Sequence, residues 1–441
     1  MTEPSHGDDP KARARAIFLR ALEEASIPRA FSRHLHCERG VLRVSEDLYD
    51  LQSYSRVFAV SIGKAGHTMA ESLVQIVGEG MIEGIVACPV APPAQVRGFR
   101  YFLGGHPAPN AESVAAASAV LKALSAQNAA ALIIFLISGG GSSIVEMPMD
   151  AEISLDDLIA TYRALVLSGA PIGEINAIRK HLSAVKGGRL ARAAYPAQQV
   201  SLLVSDVPDA TPDALASGPT MPDSTTETDC YRIAEKYELA AQFPPDVREL
   251  FERRALEETP KSDDPAFVRS RWWTVLSNQS VVDAAKSAAE QAGYTVYVDN
   301  SCDDWDYARA AKYLLERLGE LRRSSDRVCL LSGGEVTVKV TNGGVGGRNQ
   351  QFALECARQI AGEQITVLSA GTDGVDGNSS ATGAIVDGTT LDRARAKKLD
   401  PGKALEQFDA YPFFHALGDA VEIGPTGNNL RDLRILLSDA T

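Results

Sequence analysis

The feature that most restricts what this chain can become is LIIFLISGGGSS, residues 132–143. Nine apolar residues run from Ala129 to Ile137, too few to cross a bilayer and β-branched enough to predict a buried parallel strand. The strand ends abruptly in Ser138, Gly139, Gly140, Gly141 and Ser142. Three successive glycines carry no Cβ, so the backbone N–H groups of the tip can turn toward an anion without steric cost. A helix starting there would add the positive end of its dipole. Two readings are open for such a turn: a cradle for phosphate or carboxylate, and a tight strand-to-helix connection with no ligand. An echo favours the cradle, because Val328 to Leu331 is a second apolar strand and runs into Ser332, Gly333, Gly334 and Glu335.

The same grammar extends over most of the chain. From Val57, short apolar strands are each released into a glycine, serine or aspartate turn and followed by helical periodicity, which predicts βα units and a largely parallel sheet. These strands are Val57–Ile62, Gly84–Val90, Phe102–Leu103, Ala129–Ile137 and Val200–Ser205. Asn110 is a natural N-cap for an alanine-rich helix reaching about Ala126, and Ser154 with Asp157 resembles a capping arrangement for a helix to about Ser168. Lys11–Ala25 predicts an amphipathic helix without evident function, and His34, His36 and Cys37 read as surface or packing residues. Between Pro222 and Arg271 the chain is charged and proline-containing, with no strand signal. A second series follows, with strands Trp273–Leu276, Thr295–Val298, Val328–Leu331, Glu335–Thr341, Thr366–Ala370 and Ala384–Val386. Strict alternation from Glu335 to Val340 predicts an antiparallel pair and hence a mixed sheet. The tail from Gly424 to Leu437 predicts a turn and a short helix. A chain of 441 residues exceeds what one core usually holds, and two domains are expected, 1–240 and 241–441.

Charge and cysteines narrow the function. A formal charge of −13 repels nucleic acid and anionic lipid, so an anionic substrate must meet basic residues gathered inside a cleft. Cys37, Cys88, Cys230, Cys302, Cys329 and Cys356 include no C-x-x-C pair, which predicts reduced thiols in a cytoplasmic protein and no zinc site. MTEPSHGDDPKARARA has no apolar stretch after its charges, so neither secretion nor membrane anchoring is expected.

Parallel sheets bind ligands beyond the carboxyl ends of their strands. The loops there offer Lys64, His106, Ser138–Ser143, Asp206 and Asp209 in the first half, and Glu335, Gly343–Gln350 and Gly371–Gly377 in the second. Lys64 between glycines is placed for phosphate, with a solvated lysine as the competing reading. Arg348, after a run rich in glycine, can present its bidentate fork to carboxylate or phosphate. Asp206, Asp373 and Asp376 are open between turn-forming aspartates and metal ligands. His106 and His181 read first as packed histidines. Arg179, Lys180, Lys186 and Arg189 stand at helical spacing, which denotes a solvated basic face or, in so acidic a chain, a cleft lining. P-loop, dinucleotide, nucleophile-elbow and H-E-x-x-H patterns are all missing.

The motifs SIGKAG (61–66), GGHPAPN (104–110), LISGGGSS (136–143), INAIRKHLSAVKGGRLA (175–191), SDVPDATPDALASGPTMPD (205–223), LSGGEVTV (331–338), GGRNQQFAL (346–354), GTDGVDG (371–377) and NNLRDL (428–433) resemble, in order, the glycerate 2-kinase family with its C-terminal MOFRL domain. The resemblance implies two three-layer α/β/α domains, the first Rossmann-like and mainly parallel, the second mixed, with the active site in the cleft between them. It implies phosphorylation of the 2-hydroxyl of D-glycerate with ATP and Mg²⁺, by a monomer or homodimer. Some members have been labelled hydroxypyruvate reductases, so NAD(P)H-dependent reduction is the rival, along with kinase action on a related small hydroxy acid. Phosphoryl transfer asks mainly for positioning and for cations around a spreading charge. In this scheme Ser138, Gly139, Gly140, Gly141, Ser142, Gly333 and Gly334 hold anionic oxygens, with Asn349 beside them. Lys64 and Arg348 bracket the phosphoryl group and the glycerate carboxylate, and Asp206 and Asp373, with Glu335, hold Mg²⁺ or orient the hydroxyl.

Overall fold

The computed structural model describes residues 9–208, 211–341 and 343–439, so Asp209 lies outside the described residues. The chain divides into two compact units, Ile27–Val275 and a discontinuous one that joins Leu276 onward to the segment ending at Ser26.

The unit Ile27–Val275 opens on the helix Ile27–His34, followed by a small antiparallel sheet of β1 (Leu35–Glu38), β2 (Val41–Val44) and β3 (Asp47–Asp50), which the sequence reading did not anticipate. Its main sheet contains β4 (Arg56–Ile62), β5 (Glu83–Cys88), β6 (Phe99–Leu103), β7 (Ala131–Ser138), β8 (Gln198–Val204) and β9 (Ser270–Leu276), in the order β6-β5-β4-β7-β8-β9. Strands β4 to β8 are mutually parallel. Every residue of β7 is buried, as expected of a central strand covered on both faces, and this explains its unbroken apolar run. The strand order reverses between β4 and β7, which opens a crevice beyond their carboxyl ends. Asn110 caps the helix Ala111–Ser125, accepting from the Ser113 N–H at 2.9 Å while Ser113 Oγ accepts from the Asn110 N–H at 3.1 Å.

Two expectations change here. The strand at Trp273–Leu276 edges the first sheet rather than opening the second, and the Gln199 N–H donates to Arg269 O at 2.8 Å as the chain enters it. The expected boundary between residues 240 and 241 falls inside this unit. Phe243, Val247 and Phe251 belong to one apolar cluster with Leu158, Leu165 and Ile178, so the helix Pro245–Glu252 cannot leave without exposing them.

The other unit holds β10 (Thr295–Val298), β11 (Arg327–Gly334), β12 (Ile365–Gly371), β13 (Gly383–Asp387), β14 (Ala420–Val421) and β15 (Asp432–Asp439), ordered β10-β11-β15-β12-β13-β14. It is mixed, since β10 and β11 are parallel and the remaining pairs antiparallel. The expected C-terminal helix is instead β15, central and antiparallel to both β11 and β12. Because β15 takes the place beside β11, the alternating segment from Glu335 forms no strand; it makes one isolated bridge, Asp306 to Thr337. The register sets Asp432 between Gly334 and Gly371, which brings the loops after β11 and β12 together around the start of β15.

The helix Pro10–Glu24 belongs to this unit. It buries Ala14, Ile17, Phe18 and Ala21 and pins itself through Lys11 Nζ to Asp419 Oδ1 at 2.8 Å and Arg13 Nη2 to Asp439 Oδ2 at 2.6 Å. All six cysteines are unpaired. Among the described residues no helix is long and apolar enough to cross a membrane.

Candidate active site

In the unit Ile27–Val275 the loops after β4 and β7 are laced together. The Lys64 N–H donates to Gly139 O at 2.9 Å, and Ser138 Oγ accepts from the Ala65 N–H at 3.1 Å and donates to Ile62 O at 3.3 Å. The Ser138 hydroxyl therefore joins the two turns and is not turned to a ligand. Gly140 sits at φ +79°, where a Cβ would lie 2.9 Å from the His106 ring and 3.2 Å from Lys64 Cγ, so these three residues converge. At Gly139 a Cβ would fall 1.9 Å from Asp206 Oδ2; the missing side chain is what lets that carboxylate lie over the turn.

The helix that follows, Gly141–Ile144, is a single turn, so any dipole contribution is far smaller than a full helix would give. What this turn can offer an anion is its amides. The backbone N–H groups of Gly140, Gly141 and Ser142 find no acceptor among the described residues. Ser142 Oγ and Ser217 Oγ share a hydrogen bond at 2.6 Å. Ser217 is held there by a left-handed run, with Ala216 at φ 50° and Ser217 at φ 60°, conformations that cost about 1 kcal/mol or more for a residue with a Cβ.

Gly140 and Ser142 open onto a cavity of about 480 Å³ that His106, Tyr162, Arg179 and Lys186 also line. Burial, reinforced by the Lys64 charge, depresses the pKa of His106. The basic set predicted as one helical face divides. Lys180 is buried against Asp213 at 3.1 Å and Asp223 at 3.2 Å, and Arg189 pairs with Glu257 at 2.8 Å. Lys186 is buried against Glu146, which also accepts from Tyr162 Oη at 2.8 Å and Ser183 Oγ at 2.5 Å. That burial pushes the Lys186 ammonium well below its ordinary pKa. Arg179 stays on the cavity wall. His181 is a packed histidine, bonded to Ala177 O at 2.8 Å and Glu258 Oε1 at 3.0 Å.

In the other unit, Arg348 opens the helix Arg348–Gln359 and reaches Asp432 twice, Nε to Oδ2 at 2.6 Å and Nη2 to Oδ1 at 3.0 Å. Its Nη2 also lies 2.7 Å from Glu335 Oε1. Burial opposes the charge of Arg348, but Asp432 first and Glu335 after it more than offset that and hold its pKa above the ordinary value. Glu335, Arg348, Asp373 and Asp376 share a cavity of about 520 Å³. Asp432, which orients the arginine, was not singled out from sequence, although it stands in the NNLRDL motif.

Two expected ligand groups are otherwise engaged. The N–H groups of Gly333 and Gly334 donate to Asn300 Oδ1 and Asn278 Oδ1, each at 2.8 Å, so this pair ends a strand and is not a second cradle. Asn349 is buried, its amide directed to Asp376 Oδ1 at 3.3 Å and its Oδ1 accepting from Ser369 Oγ at 2.6 Å. Asp376 caps the helix, accepting from the Asn349 and Gln350 N–H groups at 3.1 and 2.9 Å, and burial raises its pKa to about 6. Asp373 remains on the cavity, its Oδ1 accepting from the Val375 N–H at 3.1 Å in a turn. Among the described residues no three His, Cys, Asp or Glu side chains gather into a metal cage. Mg²⁺ that arrives with phosphates needs only one or two carboxylates, and Glu335 and Asp373 on one cavity offer that oxygen chemistry.

Residues 13–252 match a domain of unknown function, DUF4147, and residues 328–432 match the MOFRL family. The chain is 36% identical over 388 residues to the D-glycerate 2-kinase of Thermotoga maritima, across 86% of this chain and 90% of that protein. It is 33% identical to the glycerate 2-kinase of Pyrococcus horikoshii, across 90% of this chain and 91% of that protein. A crystal structure of glycerate kinase from Thermotoga maritima superposes with a TM-score of 0.85 at 33% identity, covering 97% of this chain and 99% of that one. The chain belongs to the glycerate 2-kinase family, in which a DUF4147 domain is followed by a MOFRL domain.

Proposed function

We propose that this protein is a D-glycerate 2-kinase. The oxygen of the 2-hydroxyl attacks the terminal phosphorus of ATP, the bond from that phosphorus to the bridging oxygen breaks, and ADP leaves. The hydroxyl proton passes to a carboxylate, for which Asp206 is the candidate. The observation that carries the reading is the trio of unpartnered amides at Gly140, Gly141 and Ser142 with Lys64 beside them, a preorganised cradle for oxygens that gain charge in the transition state.

Within this scheme Lys64 is the cation beside the cradle, and Arg348, aimed by Asp432, is the cation of the second cavity. Ser138 and Gly139 shape the cradle, and Gly333, Gly334 and Asn349 support the second cavity from inside the fold. Asp373 with Glu335 would hold Mg²⁺, which screens the phosphate charges when bound. Six unpaired cysteines support a reducing, cytoplasmic setting, with the enzyme a monomer or homodimer.

The test is ADP release from D-glycerate and ATP, run beside NADH oxidation with hydroxypyruvate. Kinase action predicts the first signal without the second; the reverse pattern would replace it with the reductase.

A further inference from the structure

We propose that Arg179 anchors the carboxylate of the acceptor acid and thereby restricts the enzyme to 2-hydroxy acids. This deepens the kinase reading and rests on it for the identity of the acid.

The argument starts from unbalanced charge. Arg179 stands near the end of the helix Ile172–Leu182 and lines the cavity that Gly140 and Ser142 also face. Among the described residues it has no carboxylate partner, and its Nε is buried without an acceptor. Of the cations near it, Lys180 is matched by Asp213 and Asp223, Lys186 by Glu146 and Arg189 by Glu257, while Arg163 on the same cavity is exposed to solvent. A half-buried guanidinium without a counter-charge is costly, and burial does depress the Arg179 pKa. An anion entering the cavity would offset that cost.

The site is built to hold the guanidinium still. Its central carbon lies 5.0 Å over the Tyr162 ring, and Tyr162 is fixed in turn by its bond to Glu146. A stacked, planar fork matches a carboxylate in two hydrogen bonds, which a flexible ammonium does not. Pro107, Ile159 and Val166 add apolar surface to the wall of the same cavity. In a 2-hydroxy acid the reacting hydroxyl sits on the carbon next to the carboxylate. Fixing that carboxylate on Arg179 leaves the hydroxyl on the cavity side shared with the cradle amides of Gly140 and Ser142.

Calorimetric titration of D-glycerate, its neutral amide and ADP into the full-length wild type, Arg179→Met and Arg179→Lys tests this, with thermal melts to confirm folding. D-Glycerate should bind Arg179→Met about 30-fold or more weakly, and Arg179→Lys to an intermediate degree, while the amide and ADP change less than about 2-fold. Unchanged D-glycerate affinity, or an equal loss for ADP, overturns the proposal, the latter meaning that Arg179 holds phosphate. If Arg179→Met melts, Arg179→Lys decides: a loss confined to D-glycerate supports the anchor, and no loss overturns it. Wild-type protein that binds D-glycerate through Arg179 yet consumes no ATP would sink the kinase reading and leave this one standing.

Discussion

Arg348 and Asp432 meet as a fork on a carboxylate, with Nε to Oδ2 at 2.6 Å and Nη2 to Oδ1 at 3.0 Å, although 84 residues separate them. Asp432 is fully buried at the first position of β15, between the ends of β11 and β12, so the backbone register of the sheet fixes the direction of the arginine. Replacing the carboxylate removes that direction. Asp432→Asn should lower kcat/KM about 10²-fold or more and cost roughly 1.5–3 kcal/mol of stability, read by steady-state kinetics and urea unfolding.

Lys64 offers the opposite combination. Its backbone N–H holds Gly139 O, while its side chain is exposed. Lys64→Met should therefore keep the wild-type melting temperature within a degree or two and still reduce kcat about 10²- to 10³-fold. A melting curve beside a turnover assay checks both halves.

Gly139→Ala tests the approach of Asp206. The new Cβ would need the space of Asp206 Oδ2, 1.9 Å away, and the side chain is the part able to move. The variant should fold, lose about 10²-fold in kcat, and show little further loss when Asp206→Asn is added, because both changes disable one group. Additive losses in the double variant would contradict this.

The sequence disclosed the first cavity better than the second. An unbroken apolar run into three glycines has few structural meanings, and β7 with its turn is where the reading placed it. The tail from Gly424 to Leu437 predicts a turn and a short helix; in the fold Arg434 is wholly buried and donates to Gly334 O at 3.2 Å, so a strand buried on both faces contains an arginine. The Gly333–Gly334 pair resembled a cradle by composition, but its amides go to Asn278 and Asn300, residues 56 and 33 positions away, and no local pattern could reveal that. Likewise the residue types in INAIRKHLSAVKGGR were legible, whereas which cation lacks a partner depends on Glu146, Asp223 and Glu257.

Asp376 gives a pH signature. Its folded pKa of about 6 lies above the ordinary carboxylate value of 3.8, so between these the folded state binds the extra proton. Stability from this group is then fully present below about pH 4 and falls as pH rises toward 6, by about 3 kcal/mol. Unfolding free energies of wild type and Asp376→Asn, measured from pH 4 to 7, should differ by an amount that moves in that direction; a pH-independent difference would contradict the assignment.

The most direct single measurement is phosphorus NMR of the product formed from D-glycerate, ATP and Mg²⁺. Transfer to the 2-hydroxyl predicts one new phosphomonoester, 2-phosphoglycerate, in a one-to-one ratio with ADP. A spectrum in which ATP remains intact, or in which the ester sits on the 3-hydroxyl, would contradict it.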